Sequence, residues 1–191
     1  VAVRPGAVRV TTIGLLLGLT ALVAAAATID PQASQIGFSI KTRWGQELTG
    51  RFPRYEGEIE TVAGGRHRVH LRLSSLDVEI VGNPTYTKFT RGDGFFDAER
   101  YPVVEFHSDA YPTELLHKGG RLGGDLILRG IRRHEVFVIE PATCARPALD
   151  CDVIASGSVA RSDYRINRWG FALSSRVIFN LRVRLVPGSG Q

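Results

Sequence analysis

Five histidines, two cysteines and a scatter of carboxylates are the side chains that could do chemistry in this chain, and their spacing limits what that chemistry is. His67 and His70 stand three apart in a segment of alternating character, so on a strand their rings face opposite ways and cannot share a metal ion. His107, Ser108 and Asp109 spell the letters of a triad, but adjacent residues on a strand diverge and cannot pass a proton in line. Asp97 and Glu99 are candidate acid–base carboxylates; beside Arg100 in a turn, surface ion pairing is their ordinary role. Neither a G-x-S-x-G elbow nor an H-E-x-x-H helix is present. The glycine-rich run 119–124 is followed by no Gly-Lys-Ser/Thr and no helix start, so it reads as a hairpin turn and not as a phosphate cradle. The histidines are then solvent-facing or partly buried side chains. The chain reads as a binding protein and not as an enzyme, with no metal and no cofactor.

Compartment comes from the first residues. Arg4 and Arg9 precede an apolar run from Ile13 to Val23, and Ala25 and Ala27 are placed for an A-x-A cut before Thr28. This is the three-part pattern of a secretory signal peptide over residues 1–27, leaving a domain over 28–191 with no transmembrane segment and a periplasmic or secreted location. The apolar run is short of the roughly 20 residues a spanning helix needs. In an oxidising compartment Cys144 and Cys151, seven apart across Pro147, are expected to form a loop-closing disulfide and not a metal pair. The formal net charge of +5 includes the two leader arginines, and the remaining basic residues form no Lys/Arg block. Nucleic acid is therefore not an expected partner.

The elements that must position these groups are strands. Val177, Phe179, Leu181, Val183 and Leu185 alternate with Arg176, Ile178, Asn180, Arg182 and Arg184, giving one apolar face. The same period of two runs through Ile36, Phe38 and Ile40 and through Val69, Leu71 and Leu73. Further strands are expected at 48–59, 103–111, 121–129, 133–140 and 152–162, for eight in all. Glycines at 64–65, 119–120 and 130 supply the turns. Asn83 before Pro84 is an N-cap and first-turn pair, with Tyr86 and Phe89 on one face, so one short helix is expected from Pro84 to about Arg91, between strands three and four. Eight consecutive antiparallel strands make a sandwich or a closed up-and-down barrel. Closure removes exposed edges, and an eight-stranded barrel is just wide enough to fill itself or to hold one small ligand.

The order of certain blocks is specific. Ile29-Asp30-Pro31, Ser34, Ile36, Phe38 and Ile40 lead to Gly50-x-Phe52-x-x-Tyr55-x-Gly57-x-Ile59, then to Phe95-Phe96-Asp97, Tyr101-Pro102 and Phe106-x-Ser108. Gly124-Asp125-Leu126-x-Leu128-x-Gly130 and a block from Gly157 through Arg161-Ser162-Asp163-Tyr164 follow. Together they resemble the YceI-like, or polyisoprenoid-binding, family across the whole of 28–191. Departures are Ile127 where Thr is usual, His134 for Pro, Thr42 for His, and Tyr86-Thr87 for an Arg-Asp pair.

The resemblance implies an all-β, lipocalin-like barrel outside the cytoplasm, with a long isoprenoid chain, a polyisoprenoid or a quinone-type molecule, threaded through it. Phe38, Phe52, Tyr55, Phe89, Phe96, Phe106, Leu126, Phe137 and Phe179 are then the expected ligand contacts, and Lys88 and Arg91 the candidates for meeting a head group. Strand glycines at 37, 50, 57, 124 and 157 are expected to leave room for the bore. The competing readings are a packed barrel that acts as an envelope stress or interaction protein without a ligand, and an enzyme acting on isoprenoid lipids.

Overall fold

Strand alternation carries through into the computed structural model, which describes residue 2 and residues 26–188. The leader expected over 1–27 falls, apart from residues 2, 26 and 27, outside the described residues. In chain order the elements are β1 (Ala27–Thr28), β2 (Gln35–Lys41), β3 (Glu47–Arg51), β4 (Tyr55–Val62), β5 (Arg66–Ser74), β6 (Glu79–Ile80), α1 (Pro84–Arg91), β7 (Val103–Ser108), α2 (Glu114–Lys118), β8 (Gly120–Leu128), β9 (Ile131–Ile139), β10 (Val153–Ala160) and β11 (Arg176–Val183).

All strands join one antiparallel sheet in the order β1-β4-β5-β7-β8-β9-β10-β11-β2-β3-β6. The order is mostly a meander, with the late strand β11 pairing the early strand β2 through Phe179↔Phe38 and four flanking positions. β3 and β4 lie toward opposite ends of this order, yet only residues 52–54 connect them. Such a link reaches at most about 14 Å, so the sheet must curl until its ends are neighbours. A bridge between Ile29 and Leu185 ties the first strand's continuation to the chain just beyond β11. The inward faces meet in one core: Ile36 and Phe38 of β2, Leu71 and Leu73 of β5, Leu126 and Leu128 of β8, Phe137 of β9 and Phe179 of β11 are all buried.

Among the described residues the strands number eleven and not the expected eight. The segment 48–59 is two strands, because Pro53 has no N–H for the ladder and Phe52, only 1% exposed, turns into the core. Two further strands, β1 and β6, are two residues long, too short to show any period. Helix α1 lies where Asn83 and Pro84 place it, and the Asn83 side chain accepts the Tyr86 N–H at 2.9 Å. The five-residue α2 is an addition to the one helix expected. Cys144 and Cys151 are disulfide-bonded, closing the loop between β9 and β10. Among the described residues no helix is long and apolar enough to cross a membrane.

Candidate functional site

At one end of the curled sheet lies a cavity of about 320 Å³. Its floor is Phe38, Phe96 and Phe179, held by β2, by the turn after α1, and by β11. Phe38 lies 5.8 Å from Phe96 and 6.2 Å from Phe179, ring centre to ring centre. Its rim comes from three separate segments: Trp44 from the β2–β3 turn, Tyr86 and Phe89 from α1, and Trp169 and Phe171 from the β10–β11 connection. The Thr42–Leu173 bridge and the Arg43 N–H donating to Ala172 O at 2.8 Å tie the first segment to the third. The Arg168–Asp93 ion pair, at 2.7 Å, holds the third beside the chain leaving α1. Trp44 and Phe171 are 77% and 72% exposed, a large apolar area to leave in water without a use.

Among the described residues Arg161 is the one charged side chain in this lining, and it is buried. It follows β10 in a single 3-10 turn, Arg161–Tyr164. Nη1 donates to Ser174 O at 3.0 Å, Nη2 donates to Arg168 O, and the guanidinium lies 5.4 Å from the centre of the Phe95 ring. Its Nε–H is buried with no partner among the described residues, and burial lowers its pKa from the ordinary arginine value. Such a donor is costly to leave unpaired and is a ready partner for one acceptor oxygen. Tyr164 also borders the cavity and donates its hydroxyl to Glu135 Oε1 at 2.9 Å. Burial first, then the acceptor carboxylate, raise its pKa, so it stays a neutral donor.

The arrangement is an apolar pocket with a few fixed polar groups, which is the form small-molecule sites take. The YceI-like domain model matches residues 28–185. The chain belongs to the YceI-like family. A sequence search among curated proteins finds no match. Its fold is similar to Burkholderia cenocepacia BcnA, at TM-score 0.66 and 16% identity, covering 81% of this chain and 98% of that one. It is also similar to a polyisoprenoid binding domain from Saccharophagus degradans implicated in plant cell wall breakdown, at TM-score 0.61 and 14% identity over 84% and 97%. The Campylobacter jejuni YCEI protein aligns at TM-score 0.54 and 21% identity over 72% and 84%.

Within this YceI-like domain the residues expected to touch a ligand fall into three groups. Phe38, Phe89, Phe96 and Phe179 line the mouth cavity. Phe106, Leu126, Phe137 and again Phe179 line a second, inner cavity of about 90 Å³ toward the disulfide end. Phe52 and Tyr55 line neither: Phe52 is buried core, and the Tyr55 hydroxyl donates to Ser34 O at 2.9 Å. Phe179 stands between the two cavities, so a continuous bore is not what the interior presents. Of the head-group candidates, Lys88 is exposed and outside both linings. Arg91 is also outside them, and its guanidinium donates to Val78 O at 2.7 Å and Asp77 O at 3.2 Å, pinning α1 to the loop that leads into β6.

The strand glycines act differently from the expectation. A Cβ on Gly50 would stand 2.1 Å from the Phe38 ring, one on Gly124 would stand 2.6 Å from Phe106, and one on Gly157 would stand 2.7 Å from Phe137. Each glycine leaves room for a phenyl ring to lie against the backbone, so the freed volume goes to core and not to bore. Gly57 is likewise filled, by Ile29. Arg161 and Tyr164 were not singled out from the sequence as site residues, although they belong to a family block. Trp44, Trp169 and Phe171 escaped because loop aromatics have no period; their only signal is the placement of large apolar residues in turns.

Proposed function

We propose that this protein is an extracytoplasmic binding protein for an isoprenoid lipid whose tail occupies the mouth cavity. The observation that carries the reading is that cavity: about 320 Å³, mostly apolar, with Arg161 and a few threonine and tyrosine side chains as its polar groups, and open through an aromatic rim. The volume is at the lower end of the range for small-ligand sites, roughly 300–1,000 Å³. Burying one five-carbon isoprene unit yields about 4 kcal/mol before ordering costs. The Arg161 Nε–H supplies a donor for a carbonyl or phosphate oxygen of the ligand, such as a quinone would offer. Such an apolar ring or short tail fits without rearrangement; a longer chain reaches the inner cavity only when Phe179 swings aside. The leader pattern and the Cys144–Cys151 disulfide support a location outside the cytoplasm, and the polyisoprenoid binding of the similar Saccharophagus degradans domain supports the ligand class.

Mass spectrometry of an organic extract from protein purified without detergent tests this reading. An isoprenoid lipid present near one per chain is expected. A clean extract, combined with no gain in melting temperature when isoprenoid quinones or alcohols are added, would leave the packed-barrel reading in its place.

A further inference from the structure

We infer that His70, Glu105 and His107 form a binding site for one divalent transition-metal ion of the zinc class on the outer wall of the barrel, where Glu105 also borders the inner cavity. Cross-strand register assembles it. Glu58 of β4, His70 of β5, His107 of β7, Asp125 of β8 and His134 of β9 are successive directly opposed partners across five strands. Opposed residues project from the same face of a sheet with Cβ atoms about 5 Å apart, so this row is a belt of imidazoles and carboxylates. Glu105, two residues before His107, shares its face.

Within the belt one group is tight. The His70 and His107 rings are 4.0 Å apart, centre to centre, and Glu105 Oε2 is 3.1 Å from His107 Nε2. One ligand atom from each of His70, Glu105 and His107 lies within 4.8 Å of the other two. Their side chains are 34%, 33% and 33% exposed, open to an ion yet partly shielded from water. A tetrahedral ion with bonds of about 2.0–2.1 Å brings its ligand atoms to roughly 3.3 Å from one another. Side-chain rotations on three fixed strand positions cover that difference.

A second observation points to the same place. His70 Nδ1 lies 3.7 Å from Glu58 Oε1, while its Nε2 is buried and has no hydrogen-bond partner among the described residues. The His70–Glu58 separation is longer than a hydrogen bond; a small ring rotation would close it and set the Glu58 carboxylate behind a metal-bound His70, where such carboxylates commonly stand. A metal ion would satisfy that orphaned nitrogen. Asp125, on the far side of His107, is engaged by Arg132 at 3.0 Å and His134 at 3.4 Å, which sets the boundary of the site. Two imidazoles and one carboxylate suit zinc, copper(II) or nickel, whereas magnesium and calcium require oxygen ligands. Three protein ligands leave a position for water or an exogenous ligand.

The test is a zinc titration of untagged protein against a chromophoric chelator, with cobalt(II) absorption to report the ligand field. One zinc per chain is expected, with His70→Gln and His107→Gln each weakening binding by at least about tenfold. His134→Gln leaves the affinity unchanged. In the unmutated protein, zinc shifts the ring resonances of His70 and His107 and not those of His67 or His117, a readout that stands even where a variant folds poorly. Absence of one-to-one binding overturns the proposal, as does binding that survives the double His70/His107 replacement or that is lost equally in His134→Gln. None of these outcomes bears on the lipid reading.

Discussion

The two ends of the barrel are built from the same materials and differ in what fills them. At the disulfide end, Phe106 and Phe137 pack 4.9 Å apart, against the strand glycines Gly124 and Gly157, and only about 90 Å³ stays empty. At the mouth, one such pair, Phe38 against Gly50, forms a floor, and the aromatics above it stand in loops and in α1, leaving about 320 Å³. Strand aromatics over glycines close space; loop aromatics enclose it. Under the proposed function, that difference gives stability to one end and binding to the other.

Replacing Phe179, which borders both cavities, gives the largest effect. Phe179→Ala is expected to cost about 3–5 kcal/mol in urea unfolding. In whatever fraction stays folded it joins the two cavities, so longer tails gain affinity relative to short ones. Tyr111, buried at the disulfide end, has its hydroxyl pushed up to about 12 from 10.0 by burial alone. The sign follows from proton counting: above pH 10 the unfolded chain loses this proton first, so stability present below pH 10 is lost as pH rises through about 12. The loss amounts to about 3 kcal/mol, and Tyr111→Phe should flatten that part of the alkaline melting curve.

Replacing both Cys144 and Cys151 with Ser should lower stability by at most about 2.5 kcal/mol, the chain-entropy value for so short a loop, while ligand affinity at the opposite end stays unchanged. Trp44→Ala combined with Phe171→Ala reverses that profile. Both side chains are exposed, so urea unfolding should move by no more than about 0.5 kcal/mol per site, yet ligand dissociation should quicken by about tenfold as the rim is lost. Equal effects of the disulfide and rim variants on affinity would erase the division between the ends.

The sequence makes the walls legible and leaves the mouth obscure. Alternation in Ile36-Phe38-Ile40 and in Val177 through Leu185 places inward faces correctly, and Asn83-Pro84 places α1. Pro53 carried the signal for the break between β3 and β4, outweighed by the run of strand formers around it. The glycine pattern marks real positions on the inner wall, but whether a glycine makes a hole or seats a ring depends on a residue from a neighbouring strand. Arg91 and Arg161 show the same limit for charge: helical placement near a mouth suggests a head-group contact for the first, whereas tertiary packing ties it to Val78 O and Asp77 O and puts the second in the lining. The His70–His107 pair is invisible in sequence because register alone brings its members together.

The chain has two tryptophans, Trp44 and Trp169, and both line the mouth cavity. Tryptophan fluorescence, excited at the red edge where the five tyrosines do not absorb, therefore reports on the proposed site. Titration with a short-tailed isoprenoid quinone should quench it saturably at one ligand per chain, a non-quenching isoprenoid alcohol should reverse the quenching by competition, and Val177→Phe, which fills the cavity, should abolish both responses with the fold intact by circular dichroism. Fluorescence that follows only the linear collisional quenching of a free indole, or saturable quenching unchanged in Val177→Phe, would contradict a ligand held in the mouth.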